Sequence, residues 1–189
     1  MTELYLIRHG QTLDNVYHRY GGWRDGGLTE EGAQELYRLM EEGVYEGIEP
    51  DHFLSSDLKR ATETADILFP EAAFLQTPAF REMGFGEFEG FTYEELKDDE
   101  RYRLWLGDEE GNYLTPGGES NQGFRHRVLH GFQRLYELEG SVALVCHGGV
   151  VYEIMRYLFP EENKSMFEWQ PQNGRGYRVR LSTLTYEAI

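Results

Sequence analysis

Leu4-Tyr5-Leu6-Ile7 is a short apolar run that stops at Arg8-His9-Gly10, and Val142-Ala143-Leu144-Val145 stops in the same way at Cys146-His147-Gly148. Runs this short and continuous suit parallel strands buried on both faces. Between them lie helical patterns. Thr29 is a candidate N-cap, with Glu30 and Glu31 in the first turn where the helix dipole favours acids, and Leu36, Leu39 and Met40 recur until Gly43. His52–Ser55 reads as a brief strand and Leu58–Leu68 as a helix that stops before Pro70. Ser120–Leu138 and Val150–Phe159 read as helices, and Tyr177–Tyr186 alternates as one sheet strand. Strands alternating with helices predict an α/β domain of three layers, α/β/α, with a mostly parallel central sheet. One such domain accounts for all 189 residues.

Residues 81–119 break this plan. They carry 12 acidic and 4 basic residues, repeated glycines, and aromatics at Phe85, Phe88, Phe91 and Trp105 that look exposed. The segment reads as an inserted, lid-like stretch over one end of the sheet, with short helices near Tyr93–Lys97 and Arg101–Leu106.

Charge narrows the function. Eighteen Lys and Arg against 34 Asp and Glu leave a formal charge of −16, which disfavours nucleic acid and anionic membranes as partners. No apolar run approaches the roughly 20 residues that span a bilayer. A single cysteine, Cys146, and an N-terminus without a basic leader point to a cytoplasmic protein. Cys146 and His147 are adjacent on a strand and so face opposite ways, which sends the thiol into the core.

In open parallel sheets, ligands bind beyond the carboxyl ends of the strands. If the two apolar strands are neighbours, His9 and His147 face one crevice, beside glycines that let the backbone approach an anion. Arg8 adds a permanent cation with a fork suited to phosphate. Each histidine alone could equally cap its strand; the repetition beside an arginine favours an anion site. Arg60, on a helix near Asp57 and Glu63, reads by position as a surface ion pair, and Glu82 as one acid among many. His126 and His130 stand four apart on a helix without an evident third ligand, so no metal site is expected.

Several ordered blocks resemble the histidine phosphatase superfamily, in its phosphoglycerate-mutase-like branch. They are Leu6-Ile7-Arg8-His9-Gly10-Gln11-Thr12 with Asn15, Gly22-Trp23-Arg24-Asp25, Ser55-Ser56-Asp57-Leu58-Lys59-Arg60-Ala61, Arg81-Glu82-Met83-Gly84, Pro116-Gly117-Gly118-Glu119-Ser120 and His147-Gly148-Gly149-Val150. The resemblance implies His9 as a transiently phosphorylated nucleophile and Glu82 as the acid that protonates the leaving oxygen. It implies Arg8, Asn15, Arg60, His147 and Gly148 around the phosphoryl group, with Gln11, Thr12 and Gly22 as further candidate substrate contacts. No metal or cofactor is implied, and the partner would be a small phosphorylated metabolite. The Pro-Gly-Gly-Glu-Ser block resembles phosphatases, including alpha-ribazole phosphatases and broad-specificity bacterial enzymes. The Gly22-Trp23 loop looks like that of mutases. Phosphatase is the preferred expectation, ahead of a phosphoglycerate mutase and of a binding module without catalysis.

Overall fold

In a computed structural model covering residues 1–189, six strands form one mixed sheet. The strands are β1 (Glu3–Arg8), β2 (His52–Ser56), β3 (Leu75–Thr77), β4 (Ser141–Cys146), β5 (Gly176–Arg180) and β6 (Thr185–Ala188). Their order is β3-β2-β4-β1-β5-β6. The first four run parallel, and β5 and β6 close one side as antiparallel neighbours. The helices are α1 (Leu13–Val16), α2 (Glu30–Glu41), α3 (Lys59–Leu68), α4 (Tyr93–Leu96), α5 (Glu100–Leu106), α6 (Asn121–Leu135), α7 (Gly148–Leu158) and α8 (Met166–Trp169).

Strand alternation separates two cores. Leu4 and Leu6 of β1 and Val142, Leu144 and Cys146 of β4 turn to one face, where they meet Phe124, Val128 and Phe132 of α6 and Val150, Val151 and Ile154 of α7. Tyr5, Ile7, Ala143 and Val145 turn to the other, against Leu36 and Leu39 of α2 and Ala61, Ala65 and Leu68 of α3. The result is the expected α/β/α layering. The helix starts follow local chemistry: the Thr29 hydroxyl accepts from the Gly32 N–H at the head of α2, and the Ser120 hydroxyl from the Gly123 N–H at the head of α6.

Three expectations need correction. Phe88 and Trp105 are buried, and with Met83, Leu96 and Tyr102 they belong to the core on the α6/α7 side; of the four aromatics expected outside, only Phe91 is exposed. Residues 81–119 are therefore packed against the domain through their aromatic side chains, while their acids remain outside. The tail is two strands, because the chain turns at residues 181–184, with Leu184 at a φ of 48°, and pairs back on itself from Tyr177↔Ala188 to Arg180↔Thr185. The helix expected from Val150 begins two residues earlier, so Gly148 and Gly149 form its first turn.

The register Arg8↔Cys146 brings the carboxyl ends of β1 and β4 level, and the His9 N–H donates to the Cys146 carbonyl at 2.9 Å. The two histidine-bearing ends are thus neighbours. The chain leaves β1 toward α2 on one face and β4 toward α7 on the other, so a crevice opens at this point.

Candidate active site

His9 and His147 stand with ring centroids 5.1 Å apart, both buried. His9 Nδ1–H donates to the Gly10 carbonyl at 2.6 Å, and this bond assigns the tautomer: Nε2 keeps its lone pair. Burial, reinforced by the positive charges of Arg60 and Arg8, holds the His9 imidazole well below its usual titration range. His9 is therefore a neutral ring at pH 7, and its Nε2 lone pair accepts from Arg60. His147 is held neutral by the same causes, burial first. Its Nε2 meets the Ser56 hydroxyl at 2.8 Å, and its Nδ1 is buried without a partner.

Arg60 overturns the surface reading of its position. It is buried, and it donates from Nη2 to the Gly22 carbonyl and from Nη1 to the Arg24 carbonyl, each at 2.8 Å. Its Nε–H donates to His9 Nε2 at 3.3 Å. The acids expected beside it go elsewhere: Asp57 takes a bidentate bond from Arg81 (2.7 and 2.6 Å), and Glu63 pairs with Lys59. Gly22 suits its role, since its φ is +51° and a Cβ there would collide with the Glu89 side chain. Arg8 donates from Nη1 to the Pro171 carbonyl at 2.8 Å, and its Nε is buried and unpaired. Burial lowers both guanidinium groups from their ordinary value, yet arginine remains charged at any physiological pH.

His9, Arg8 and Arg60 line a pocket of about 160 Å³, together with Thr12, Asn15, Gly22, Glu82 and Gly148. His147 does not line it: its ring is fully buried beside that of His9. The Asn15 carbonyl oxygen accepts from the Thr12 N–H and from Asn173 Nδ2, which fixes the amide so that its own NH₂ is free of these contacts. Thr12 caps α1, within the capping box that it forms with Asn15. Gln11 is not part of the pocket: its side-chain oxygen meets the Thr29 hydroxyl at 3.2 Å. A separate groove of about 710 Å³ runs past Asp25, Glu30 and Glu63, but it contains neither His9 nor Arg60.

Glu82 sits where the small pocket meets a larger cavity of about 630 Å³, and Tyr20, Phe85 and Met166 share that border. One Glu82 carboxyl oxygen accepts from the Met83 N–H and the other from the Gly149 N–H at the start of α7, both at 2.9 Å. A Cβ at 149 would push the Glu82 carboxyl from this position. The backbone of this segment is held from outside: Trp23 Nε1–H (2.8 Å) and Arg127 Nη2–H (3.1 Å) both donate to the Glu82 carbonyl.

Sequence reasoning missed Asn173, Ser56, Arg127 and Trp23 as members of this assembly. Asn173 Nδ2 donates to the His9 carbonyl at 3.0 Å from 164 residues away. The Gln170-Pro171-Gln172-Asn173-Gly174 stretch carries a turn signal, and that was the only local hint of a structured loop there.

Residues 4–186 match the model of the histidine phosphatase superfamily, branch 1. The chain belongs to the histidine phosphatase superfamily. This superfamily member is 31% identical over 180 residues to an adenosylcobalamin/alpha-ribazole phosphatase of Escherichia coli, covering 90% of this chain and 86% of the relative. It is also 31% identical over 159 residues to the probable phosphoglycerate mutase GpmB of Erwinia tasmaniensis, covering 82% of this chain and 73% of the relative. The crystal structure of an E. coli protein assigned as an alpha-ribazole-5'-P phosphatase superimposes with a TM-score of 0.85 at 26% identity, over 100% of this chain and 94% of that one. Membership makes the chain an enzyme of phosphatase or mutase type, with the three-layer fold of its neighbours.

Proposed function

We propose that the chain hydrolyses phosphomonoesters through a phosphohistidine at His9, with Glu82 as the proton donor. One observation carries this reading: a neutral His9 sits with buried Arg60 and half-buried Arg8 in a pocket of about 160 Å³ that Glu82 also lines at its border with the larger cavity. A dianionic phosphoryl group suits such a pocket, since phosphoryl transfer asks mainly for positioning and for cations around the equatorial oxygens.

In the first step Nε2 attacks phosphorus and the ester P–O bond breaks. The leaving oxygen takes its proton from the Glu82 carboxyl, so the alcohol departs neutral. Water then attacks the phosphorylated His9, the P–N bond breaks, and the water's proton returns to Glu82. Inorganic phosphate is released and the site is restored. Covalent capture thereby divides one difficult displacement into two. Arg8, Arg60, His147, Asn15 and Gly148 would hold the phosphoryl oxygens throughout, and no step needs a metal.

The experiment is to quench turnover of a ³²P-labelled ester with denaturant. Label should stay on the protein, survive alkali and be lost in acid, and His9→Ala should abolish it together with turnover. Label on a serine-type ester, or turnover that vanishes on chelation and returns with zinc or magnesium, would overturn the mechanism. The likeness to the mutase relative supports isomerisation of a phosphorylated acid as a second reading. A bisphosphoglycerate-dependent isomerisation assay separates the two.

A further inference from the structure

Gly22, Trp23 and Arg24 stand between the two halves of the candidate site. The carbonyls of Gly22 and Arg24 hold the Arg60 guanidinium, and the Trp23 indole N–H donates to the Glu82 carbonyl. One tripeptide therefore touches both the phosphate-side cation and the strip that carries the acid. A single side-chain atom locks that tripeptide to the strip. Glu89 Oε1 accepts from the Trp23 backbone N–H at 2.8 Å and from the Phe85 backbone N–H at 3.0 Å.

The surroundings are shaped for this carboxylate. The Tyr20 N–H donates to the Phe91 carbonyl at 3.0 Å and the Gly90 N–H to the Tyr20 carbonyl at 2.8 Å, which lays residues 89–91 alongside 20–22. Gly22, at a φ of +51° and without a Cβ, leaves the space that the Glu89 carboxylate fills. The backbone of Gly84 lies against the Trp23 ring, where a Cβ would come within 3.2 Å of it. The guanidinium carbons of Arg81 and Arg127 lie 5.3 and 5.9 Å from that ring's centroid, within cation–π range. Glu89 is half-buried and lines neither the small pocket nor the larger cavity, so it touches no substrate. Its charge is a lesser matter, because Glu82, Asp14 and Asp25 each act on the Arg60 charge more strongly than Glu89 does.

We propose that Glu89 is a positioning residue that sets Arg60 and Glu82 in register with each other, by accepting two backbone N–H groups on one oxygen. The inference rests on the phosphatase reading for the roles of Arg60 and Glu82. Two consequences follow from the geometry. Removing the acceptor damages anion binding and proton donation together, although Glu89 contacts neither the anion nor the Glu82 carboxyl. An amide in its place suffices, since one carbonyl oxygen keeps both bonds and only the charge is lost.

Three variants test this against wild type. Glu89→Ala removes the acceptor, Glu89→Met removes it while keeping the bulk, and Glu89→Gln keeps one carbonyl oxygen. Calorimetric binding of tungstate, a phosphate mimic, reads the Arg60 half without turnover. The kcat/KM ratio of an alkyl phosphate to p-nitrophenyl phosphate reads the Glu82 half, because losses in phosphate binding common to both esters cancel. Without the acceptor, tungstate should bind about tenfold more weakly and the ratio should fall about tenfold, the lower end of what a misplaced group costs. In Glu89→Gln both should stay within about threefold of wild type, the scale of one exchanged hydrogen bond. A merely structural glutamate would lower the urea midpoint of Glu89→Met and leave the ratio and the tungstate affinity alone, which overturns the proposal. A loss confined to one half overturns it too, as does a Glu89→Gln as damaged as Glu89→Met. If wild type hydrolyses no ester, the phosphatase reading fails by itself. Hydrogen exchange of the Trp23 indole N–H, followed by NMR, then replaces the ratio as the readout of the acid strip. Exchange about tenfold faster together with weaker tungstate binding in Glu89→Met, both restored in Glu89→Gln, supports the coupling, and any other result sinks it.

Discussion

Glu82 has each carboxyl oxygen engaged by one backbone N–H, from Met83 and from Gly149, so the group is fixed in direction while each oxygen keeps a lone pair for a proton. If it donates that proton to the leaving oxygen, its worth depends on how badly that oxygen needs one. Glu82→Gln keeps the size and one hydrogen-bonding oxygen but cannot act as an acid. Turnover of alkyl phosphates should fall about 10²–10⁴-fold, the range for a placed general acid. For p-nitrophenyl phosphate, whose phenolate leaves unprotonated, the phosphorylation step should lose far less. Stopped-flow measurement of the nitrophenolate burst checks this, and equal losses for both leaving groups would remove Glu82 from the acid role. His9 differs in kind, because it is the only proposed nucleophile and His9→Ala should depress every ester alike. Cys146, next to His147, takes no part: it is fully buried among Leu6, Leu144 and Ile154, and burial pushes its thiol well above the usual cysteine range.

At the scale of elements, the site is held by strand ends and by one helix that never enters the pocket. Arg127 of α6 makes a bidentate bond to Glu119 (2.8 and 2.7 Å) and donates to the carbonyls of Ala79, Arg81 and Glu82. Glu119 in turn accepts from the Gly84 N–H at 2.9 Å. The strip that carries Glu82 is thus clamped to α6 from both sides. Arg127→Met leaves Glu119 without its cation and the carbonyls without a donor, at a cost of about 1–3 kcal/mol measured by urea denaturation. Its activity signature should mimic Glu82→Gln in sign: about 10–100-fold lost on alkyl phosphates, and less on p-nitrophenyl phosphate, as for loss of a placed acid. A uniform loss across leaving groups would show that the clamp serves stability alone. Such a clamp was not legible in the sequence, since Glu119 stood out only within its Pro-Gly-Gly-Glu-Ser block and nothing ties Arg127 to it until the fold brings residues 79–84 beside α6. The β1 and β4 strands were legible because each is a short apolar run that ends in His-Gly, and both faces are buried. β3 was not: it has three residues, Leu75 is exposed, and only pairing with β2 makes it a strand. The tail misled for a different reason. Alternation of Val179, Leu181 and Thr183 fits one long strand as well as a hairpin, and no Gly or Asn marked the turn at residues 181–184. Arg60 was legible only through its family block, because its own neighbours Asp57 and Glu63 suggested a surface pair that the structure gives to Arg81 and Lys59.

For the whole molecule, burying two neutral histidines beside two arginines ties stability to pH. The −16 formal charge lies largely on the surface, whereas Arg8 stands at the end of β1 and Arg60 in the first turn of α3, both lining the pocket. Both His9 and His147 titrate well below the ordinary imidazole value in the folded state, burial being the first cause. Unfolded, each regains a pKa of about 6.5. Below that value the unfolded chain binds protons that the folded chain refuses, so the stability contributed by keeping the rings neutral is complete above about pH 7 and is lost as pH falls. Each histidine contributes a slope of about 1.4 kcal/mol per pH unit once pH is well under 6.5, and the pair about 2.7 kcal/mol per unit. Carboxylates held low by partners, such as Asp57 through Arg81 and Glu3 through Arg178, act in the same direction but only below their unfolded values near 4. Glu153 acts oppositely: burial raises its carboxyl, so the folded chain takes up that proton first and gains some stability as pH falls. The window between about pH 6.5 and pH 5 therefore isolates the two histidines best. Urea midpoints should drop steadily across it in wild type, and in His147→Asn the slope should be close to half. A flat profile from pH 7 to pH 5 would show that the rings accept protons in the folded state, and His9 would then not be the neutral nucleophile that the reaction requires.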